Sequence, residues 1–532
     1  PGLRPKRGGK LLNLPSPDFN ELANPLARLS LPVQKNNSDK VIANLTAELG
    51  IWDNLKYKFS WGSDLAFWGN DSYSIPYYLN RNAKNNQSNV SSQMNRGYTW
   101  QIENVLTYDK TFGQHSFSVV LGQSAQRYTS RQLGGTAYDL LAYLEDKANI
   151  DFTTGLASDG KETVYGGAGD PNSLASYFGR LSYNFAERYM FQFTVRRDGS
   201  SRFGPNNKWA TFPSVSVGWN ITNEPWLQKR PEWWTSTKFR LSWGKNGNEN
   251  IGNFRYTANV ALNNNYVFGG YGNGQLLVLG SKPSGTPNAD LKWEESEQYD
   301  VGLDFGFFNS ALTFTVDYFY KKTNGMLKEM AIPSYLGESK PWGNVGSMKN
   351  EGVDLALDYN KQVNKDLFIS FKGTFTYAHN TILERDEPPF REYPNLSTIG
   401  HSDGQYLLYI ANGLFPDEAT IKNNPKQNLG FDPQPGDIWY KNLPNYAGEY
   451  DNVIDSNDRM YVGNPKDPEI VYGFGPSVKW KNWDFSFFFQ GAAKTSILMS
   501  GFHPFGSQGI NNVFQWIADS HWSEDNPDPN AE

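Results

Sequence analysis

Residues 298–322 alternate in character with a strict period of two, and few folds tolerate that pattern. Tyr299, Val301, Leu303, Phe305 and Phe307 fall on one face of an extended segment, while Gln298, Asp300, Gly302, Asp304 and Gly306 fall on the other. After residues 308–310 the alternation resumes, with Leu312, Phe314, Val316, Tyr318 and Tyr320 against Ala311, Thr313, Thr315, Asp317 and Phe319. The unit is a hairpin with one apolar face and one polar or small face.

The same unit recurs along the chain. Strand pairs read at about 41–50 with 54–63, 98–109 with 115–127, 175–185 with 188–198, 211–221 with 236–246, 296–307 with 311–321, 351–360 with 366–377, and 469–480 with 483–493. Each of these roughly fourteen strands is near the roughly 9 to 11 residues that cross a bilayer when tilted. Connections within pairs take a few residues, as at 186–188, 308–310 and 481–482. Those between pairs, at 64–97, 128–174, 247–295, 322–350 and 378–468, are long, polar and rich in Gly, Asn and Pro. Short turns at one end and long loops at the other are the layout of a membrane β-barrel.

A soluble sandwich or propeller alternates too. Against it stand three features. No repeat of propeller length is visible. Large aromatics sit near strand ends on the apolar face, as with Tyr57 and Trp61, Tyr177 and Phe185, Tyr189 and Phe193, or Tyr318 and Tyr320, which suits interfacial girdles. The opposite face mixes Gly, Ser, Asn, Asp, Lys and Arg, which suits a wet interior. On this reading the apolar faces look at lipid and the polar faces line a lumen, because a spanning sheet satisfies its amides only by closing on itself.

Composition agrees. Aromatics make up 15% of the 532 residues, yet hydrophobics total only 38% and the mean hydropathy is −0.62. No window holds the roughly 18 consecutive apolar residues of a membrane helix, which excludes a helical membrane protein and leaves barrels open. Cysteine is absent, which removes disulfides, thiolate metal sites and cysteine nucleophiles. A net charge of −6 and a pI near 5.6 give no basic footprint for nucleic acid. The opening PGLRPKRGG lacks Met and an apolar leader, and the closing EDNPDPNAE is unlike a finishing strand, so a piece cut at both ends is expected.

Residues 176–227, SYFGRLSYNFAERYMFQFTVRRDGSSRFGPNNKWATFPSVSVGWNITNEPWL, resemble the SusC-like family of TonB-dependent outer-membrane transporters. The run RRDGSSRFGPNNKWATFPSVSVGW is similar to that family's most recognisable barrel signature. Further matches follow in order: KFRLSWGKNGNENIGNFRY from 238, GNVGSMKNEGVDLALDY from 343, QPGDIWYKN from 434, and NPKDPEIVYGFGPSVKWKNWDFSFFFQG from 464. Together they span most of residues 100–495.

The resemblance implies an all-β fold, a transmembrane antiparallel barrel of about 22 strands whose lumen is closed by an N-terminal plug. Residues 1–532 would be barrel wall and loops, with the plug and the last strands outside them. It implies a transporter of the outer membrane of a Bacteroidetes-type bacterium that imports an oligosaccharide, or alternatively short peptides. The implied partners are a SusD-like lipoprotein over the extracellular mouth, TonB with ExbB and ExbD on the periplasmic side, and membrane lipid. A dimer of SusC–SusD pairs is a further implied arrangement. No cofactor and no catalytic residue is implied. A soluble or surface glycan-binding β-protein is the alternative from a different class.

The residues carry little sign of catalysis. The five histidines, His115, His379, His401, His503 and His521, form no metal-ligand spacing. GGYGNG at 269–274 lacks the ending of a phosphate loop and reads as a mobile loop. At 445–459, NYAGEYDNVIDSNDR departs from the Asn-Gly-Asp-Gly-like turn that relatives carry before this element. Asp451, Asp455, Asn457 and Asp458 there suggest calcium by composition, but the EF-hand spacing is not met and an Asx-rich turn is the reading. Binding is better supported, because the long connections set aromatics beside hydrogen-bonding residues: Phe67, Trp68, Tyr73, Tyr77 and Tyr78 in one loop, Trp342 in another, and Tyr393, Tyr406, Tyr409, Trp439, Tyr440, Tyr446 and Tyr450 in the longest. Flat rings with polar neighbours suit sugar faces and equally peptides or a protein partner. Trp68, Tyr77, Tyr78, Trp342, Tyr406, Tyr409, Trp439 and Tyr446 are the candidate contacts; the alternative is that they pack the loops.

Overall fold

The computed structural model describes residues 34–78, 83–141, 147–258, most of 260–336, 338–388, 391–499 and 514–531, and before residue 34 only Leu26, Leu29 and Leu31. Residues 1–25, most of the glycine-rich 269–274 segment and His503 lie outside the described residues.

One antiparallel sheet dominates, and its strands follow one another in chain order. They are β1 (Lys35–Trp52), β2 (Leu55–Ser74), β3 (Asn89–Phe112), β4 (His115–Tyr138), β5 (Asn172–Phe185), β6 (Tyr189–Ser200) and β7 (Trp209–Asn220). There follow β8 (Trp234–Asn248), β9 (Glu294–Phe307), β10 (Leu312–Asn324), β11 (Ser347–Asn364), β12 (Leu367–Glu384) and β13 (Ile470–Trp480), against which β14 (Trp483–Ser486) and β15 (Phe489–Ala493) both pair. All seven expected strand pairs are present. A short strand, Glu162–Ala168, also adds to the upper half of β4.

The register fixes the faces. Phe239, Leu303, Val316, Leu355, Phe375 and Tyr472 stand side by side across six strands, and so do Leu241, Val301, Tyr318, Val353, Tyr377 and Ile470. These rows are not packed into a dry centre. Leu45, Leu121, Val301 and Tyr318 are between 40% and 59% exposed, as side chains that face outward to lipid rather than into a protein core must be. The intervening rows carry Arg240, Asp300, Asp304, Asp317 and Asp354 on the other face.

The turns are tight because their residues accept left-handed backbone. Ala186 and Glu187 have φ of 54° and 55°, the pair of positive values that a type I′ hairpin turn requires. The cost of that backbone in non-glycine residues is offset from the end of β7 and the 3-10 turn after it, where Asn220 Nδ2 and Asn223 Nδ2 both donate to Glu187 O, at 2.7 and 2.9 Å. At 308–310, Phe308, Asn309 and Ser310 all have positive φ, and Thr235 Oγ1 accepts from Ser310 N. Around this end the outward aromatics form a belt. Phe117 lies 4.7 Å from Tyr183, Phe185 stacks on Tyr189, and Tyr189 Oη and Trp219 Nε1 both donate to Glu224, at 2.5 and 2.9 Å.

One expectation needs correcting. The strands are longer than a bilayer crossing demands: β3 and β4 each run 24 residues and β2 runs 20. Phe67, Trp68 and Tyr73 therefore stand in β2 rather than in a loop. Beyond the lipid, water removes the need for an apolar face but not the cross-strand hydrogen bonds, so pairing continues after the hydropathy contrast ends.

Placing a charge in the apolar rows tests the orientation. Leu303→Arg is expected to cost about 2–4 kcal/mol, whereas Ser242→Arg on the opposite face costs far less. Equilibrium unfolding of the full-length protein in phospholipid vesicles measures both.

Candidate functional site

The polar face of β8–β11 holds a charge network. Arg240 Nε donates to Asp304 Oδ2 at 2.8 Å and Nη2 donates to Asp304 Oδ1 at 3.0 Å, the bidentate geometry that a planar guanidinium favours. Nη2 also reaches Asp317, 2.8 Å away, and Thr315 Oγ1 donates to Asp304. Gly302 makes the arrangement possible. A Cβ there would sit 2.1 Å from Asp317 Oδ1 and 2.6 Å from Arg240 Nη2, so the guanidinium needs bare backbone beneath it. A second unit lies on β5 and β6, where Arg196 pairs with Asp198, donates to Ser176 at 2.8 Å and lies over the Phe178 ring.

At the long-loop end the connections fold onto the sheet. Phe203, Phe212, Ile251, Leu291 and Trp293 form a buried cluster, with Trp293 5.2 Å from Phe203 and 5.5 Å from Phe212. Arg202 ties the cluster to the next loop by donating to Glu249 O and Asn253 Oδ1, and Trp293 Nε1 donates to Lys208 O. This cluster lies within and beside the RRDGSSRFGPNNKWATF signature, and it shows what that run does: it closes a short connection and seats two long loops upon it.

Within residues 391–469 the connection builds short ladders of its own. Tyr406–Tyr409 pairs with Arg459–Val462, and Ala411–Leu414 pairs with Ile438–Tyr440, above a core that includes fully buried Phe415 and Ile454. Burial pushes the Tyr440 hydroxyl above its ordinary range. Burial likewise raises the Asp458 carboxyl, although it accepts from the backbone N–H groups of Leu443 and Asp455. Asp455 and Asp458 close a capping box, and Asp451 accepts from Val453 N and from the Tyr393 hydroxyl. The acidic segment is thus an Asx-rich turn whose carboxylates hold the loop's own backbone. At Glu387 burial works upward, but hydrogen bonds from Thr398 and Ser397 together with Arg391 win and hold the carboxyl below its ordinary range.

The sequence-derived aromatics are spread over these regions and do not meet in one cleft. Trp68 lies on the polar face of β2, its ring against Gly97 and beside Tyr128. Tyr77 and Tyr78 form a two-residue ribbon with Lys84 and Asn85. Trp342 packs on the buried cluster under the Arg255 guanidinium. Tyr409 lies 5.2 Å from Tyr440, and Trp439 lies 5.8 Å from Phe415, so both serve packing, whatever else they touch. Tyr406 is half-buried in the same segment, and Tyr446 is exposed. Sequence reasoning passed over the Arg240 network, whose one signal was a glycine between two aspartates, and the Phe203–Trp293 contact, which had none.

Two measurements follow from this geometry. Arg240→Met leaves Asp304 and Asp317 without their shared donor, and the expected loss is about 1.5–3 kcal/mol of stability in vesicle unfolding. For Glu387 the lowered carboxyl contributes stability that is complete above the ordinary glutamate range and is lost as pH falls through its depressed value. The protection of the Thr398 amide, which donates to Glu387 at 3.0 Å, relative to its intrinsic exchange rate should fall on acidification, and Glu387→Gln should remove that pH dependence of the protection.

A family model described as "TonB dependent receptor-like, beta-barrel" matches residues 32–492. The chain is 28% identical over 483 residues to TonB-dependent receptor SusC of Bacteroides thetaiotaomicron, a match covering 88% of this chain and 45% of that protein. It is 28% identical over 522 residues to TonB-dependent receptor P3 of Formosa agariphila, covering 95% and 49%. The chain thus spans about half the length of the curated relatives it matches. Among solved structures, the RagAB peptide transporter superposes with a TM-score of 0.78 at 22% identity, covering 95% of this chain and 54% of that one, which identifies the fold. The chain belongs to the TonB-dependent receptor-like β-barrel family of the outer membrane.

Proposed function

We propose that this chain forms the wall and outer loops of a SusC-type importer that takes up an oligosaccharide together with a SusD-like surface lipoprotein. The observation that carries the reading is kinship with SusC along 88% of the chain. The unpaired outer edge of β1, among the described residues, supports a wall that further strands complete, since an open edge in lipid leaves its amides unsatisfied. A plug, contributed by residues outside this chain, closes the lumen and is displaced or remodelled through TonB. Transport is then a conformational cycle in which ligand and TonB bias closed and open states, with no covalent step. Family membership sets aside the soluble glycan-binding alternative.

Flat rings beside amides at the rim suit the faces of an oligosaccharide and, equally, the side chains of a peptide, so uptake of both is measured. Trp68 stands on the polar face, with Asn70, Gln93 and Asn95 linked to one another around it. In cells carrying the full-length transporter, Trp68→Ala should raise the half-saturation concentration for labelled oligosaccharide about three- to tenfold, the worth of one ring contact. Saturable uptake of short peptides but not of oligosaccharides would replace the substrate and leave the importer. Absence of TonB-dependent uptake of either would remove the importer.

A further inference from the structure

In two places on the outward face, like charges stand directly opposite each other on neighbouring strands. Where Lys322 faces Lys349, the chain supplies its own counter-charge: Glu297 is opposite Lys322 on β9, and Lys349 Nζ lies 2.6 Å from Glu351. Where Arg96 faces Arg131, it does not. Arg127, four residues before Arg131 in the same row of β4, stands opposite Trp100. Among the described residues none of these three guanidinium groups has a carboxylate or other acceptor, and all three are exposed. The acids on this face of β1–β4 are Asp39, which stands opposite Phe67, and Asp71, whose Oδ1 accepts from Ser92 Oγ at 2.6 Å. Like charges directly opposite are destabilising, so this part of the wall gains from a bridging anion.

Height along the barrel identifies the anion. Arg127 and Arg131 lie twelve and sixteen residues beyond His115 at the short turn. At about 3.3 Å per residue and about 40° of tilt they stand roughly 30 and 40 Å above that end, against an apolar band about 25 Å tall. With the band beginning at the turn, Arg127 stands about 5 Å beyond its outer edge, level with the headgroups, and the Arg96–Arg131 pair about 10 Å further out, above the same headgroups. Below the pair the same face carries Tyr98 and Trp100, then Ile102, Leu106 and Leu121. Beside it opens a depression of about 630 Å³ that Arg96, Arg131, Phe67 and Met94 help to line, with Asp39 and Asp71 on its far side from Arg131.

We propose that Arg96, Arg131 and Arg127 bind the phosphate headgroup of an anionic lipid of the outer leaflet. Two forks on adjacent strands clamp phosphate oxygens bidentately. The acyl chains run down over Trp100, Ile102 and Leu121. A free phosphate ion would satisfy the arginines but leave the apolar row below them uncovered, and a lipid satisfies both.

The test uses the full-length transporter in nanodiscs of phosphatidylcholine, titrated with fluorescent phosphatidic acid. The wild type should bind saturably, and millimolar inorganic phosphate should leave the lipid in place. Arg96→Gln with Arg131→Gln should weaken binding about tenfold or more, while Lys349→Gln leaves it unchanged. Heat-modifiability on gels verifies that each variant is inserted; where the double variant is not, Arg131→Lys, which keeps charge but loses the fork, should weaken binding severalfold. Unchanged affinity in an inserted arginine variant overturns the site. So does equal binding of a fluorescent phosphatidylcholine, and displacement by inorganic phosphate would replace the lipid with a free anion.

Discussion

A backbone in lipid has no water to bond, so every amide and carbonyl within the hydrocarbon must be paired by another strand. The rest of the molecule follows from that. Consecutive strands pair with their sequence neighbours because a meander is the topology that places each new edge where the next strand can cover it. Apart from the thirteen-residue connection between β7 and β8, turns at one end shrink to between two and four residues, and they do so even where the backbone must be left-handed in Ala186, Glu187 or Asn309. Once pairing is obligatory, the period of two is obligatory as well, and it sorts side chains into an oily row and a wet row without any further instruction.

The wet row is where charge concentrates, and it is organised rather than merely tolerated. Arg240 draws Asp304 and Asp317 together across three strands, and it lies flat because Gly302 leaves room. Such groups retain part of their hydration in an aqueous interior, so the network contributes modestly to stability and more to fixing where each side chain stands. The consequence for the wall is a surface of fixed donors and acceptors instead of mobile chains.

How much of this was legible in the sequence depends on how local each cause is. The hairpins were, because alternation and turns are written within some twenty-five residues, as in 298–322. The Asx-rich turn at 451–458 was, because Asp455 and Asp458 cap a segment only three residues long. The upper limits of β2, β3 and β4 were not, because hydropathy contrast marks the lipid and stops where the lipid stops, while hydrogen bonding carries the strands on. The buried cluster was least legible. Phe203 meets Trp293 across ninety residues of chain, and nothing near either residue announces the other. For the same reason the role of Trp342 could not be separated from that of Tyr446, although one packs on the cluster and the other stands exposed.

The overlong strands carry a mechanical consequence. A loop of forty or more polar residues that began at the membrane surface would sample many shapes, at a cost of about 1–2 kcal/mol per residue to order. Here β2, β3 and β4 rise well past the lipid before any loop begins, and the cluster around Phe203 and Trp293 anchors Ile251, Tyr256, Leu291, Leu327 and Trp342 of the long connections against the sheet. The 385–469 segment spends its own aromatics, Tyr409, Phe415, Trp439 and Tyr440, on an internal core. Ordering is thereby settled in folding and need not be drawn from the binding of a ligand. Such a rim is a shaped surface before anything meets it, and the rings that remain outside the cores are held in place by the folded loops.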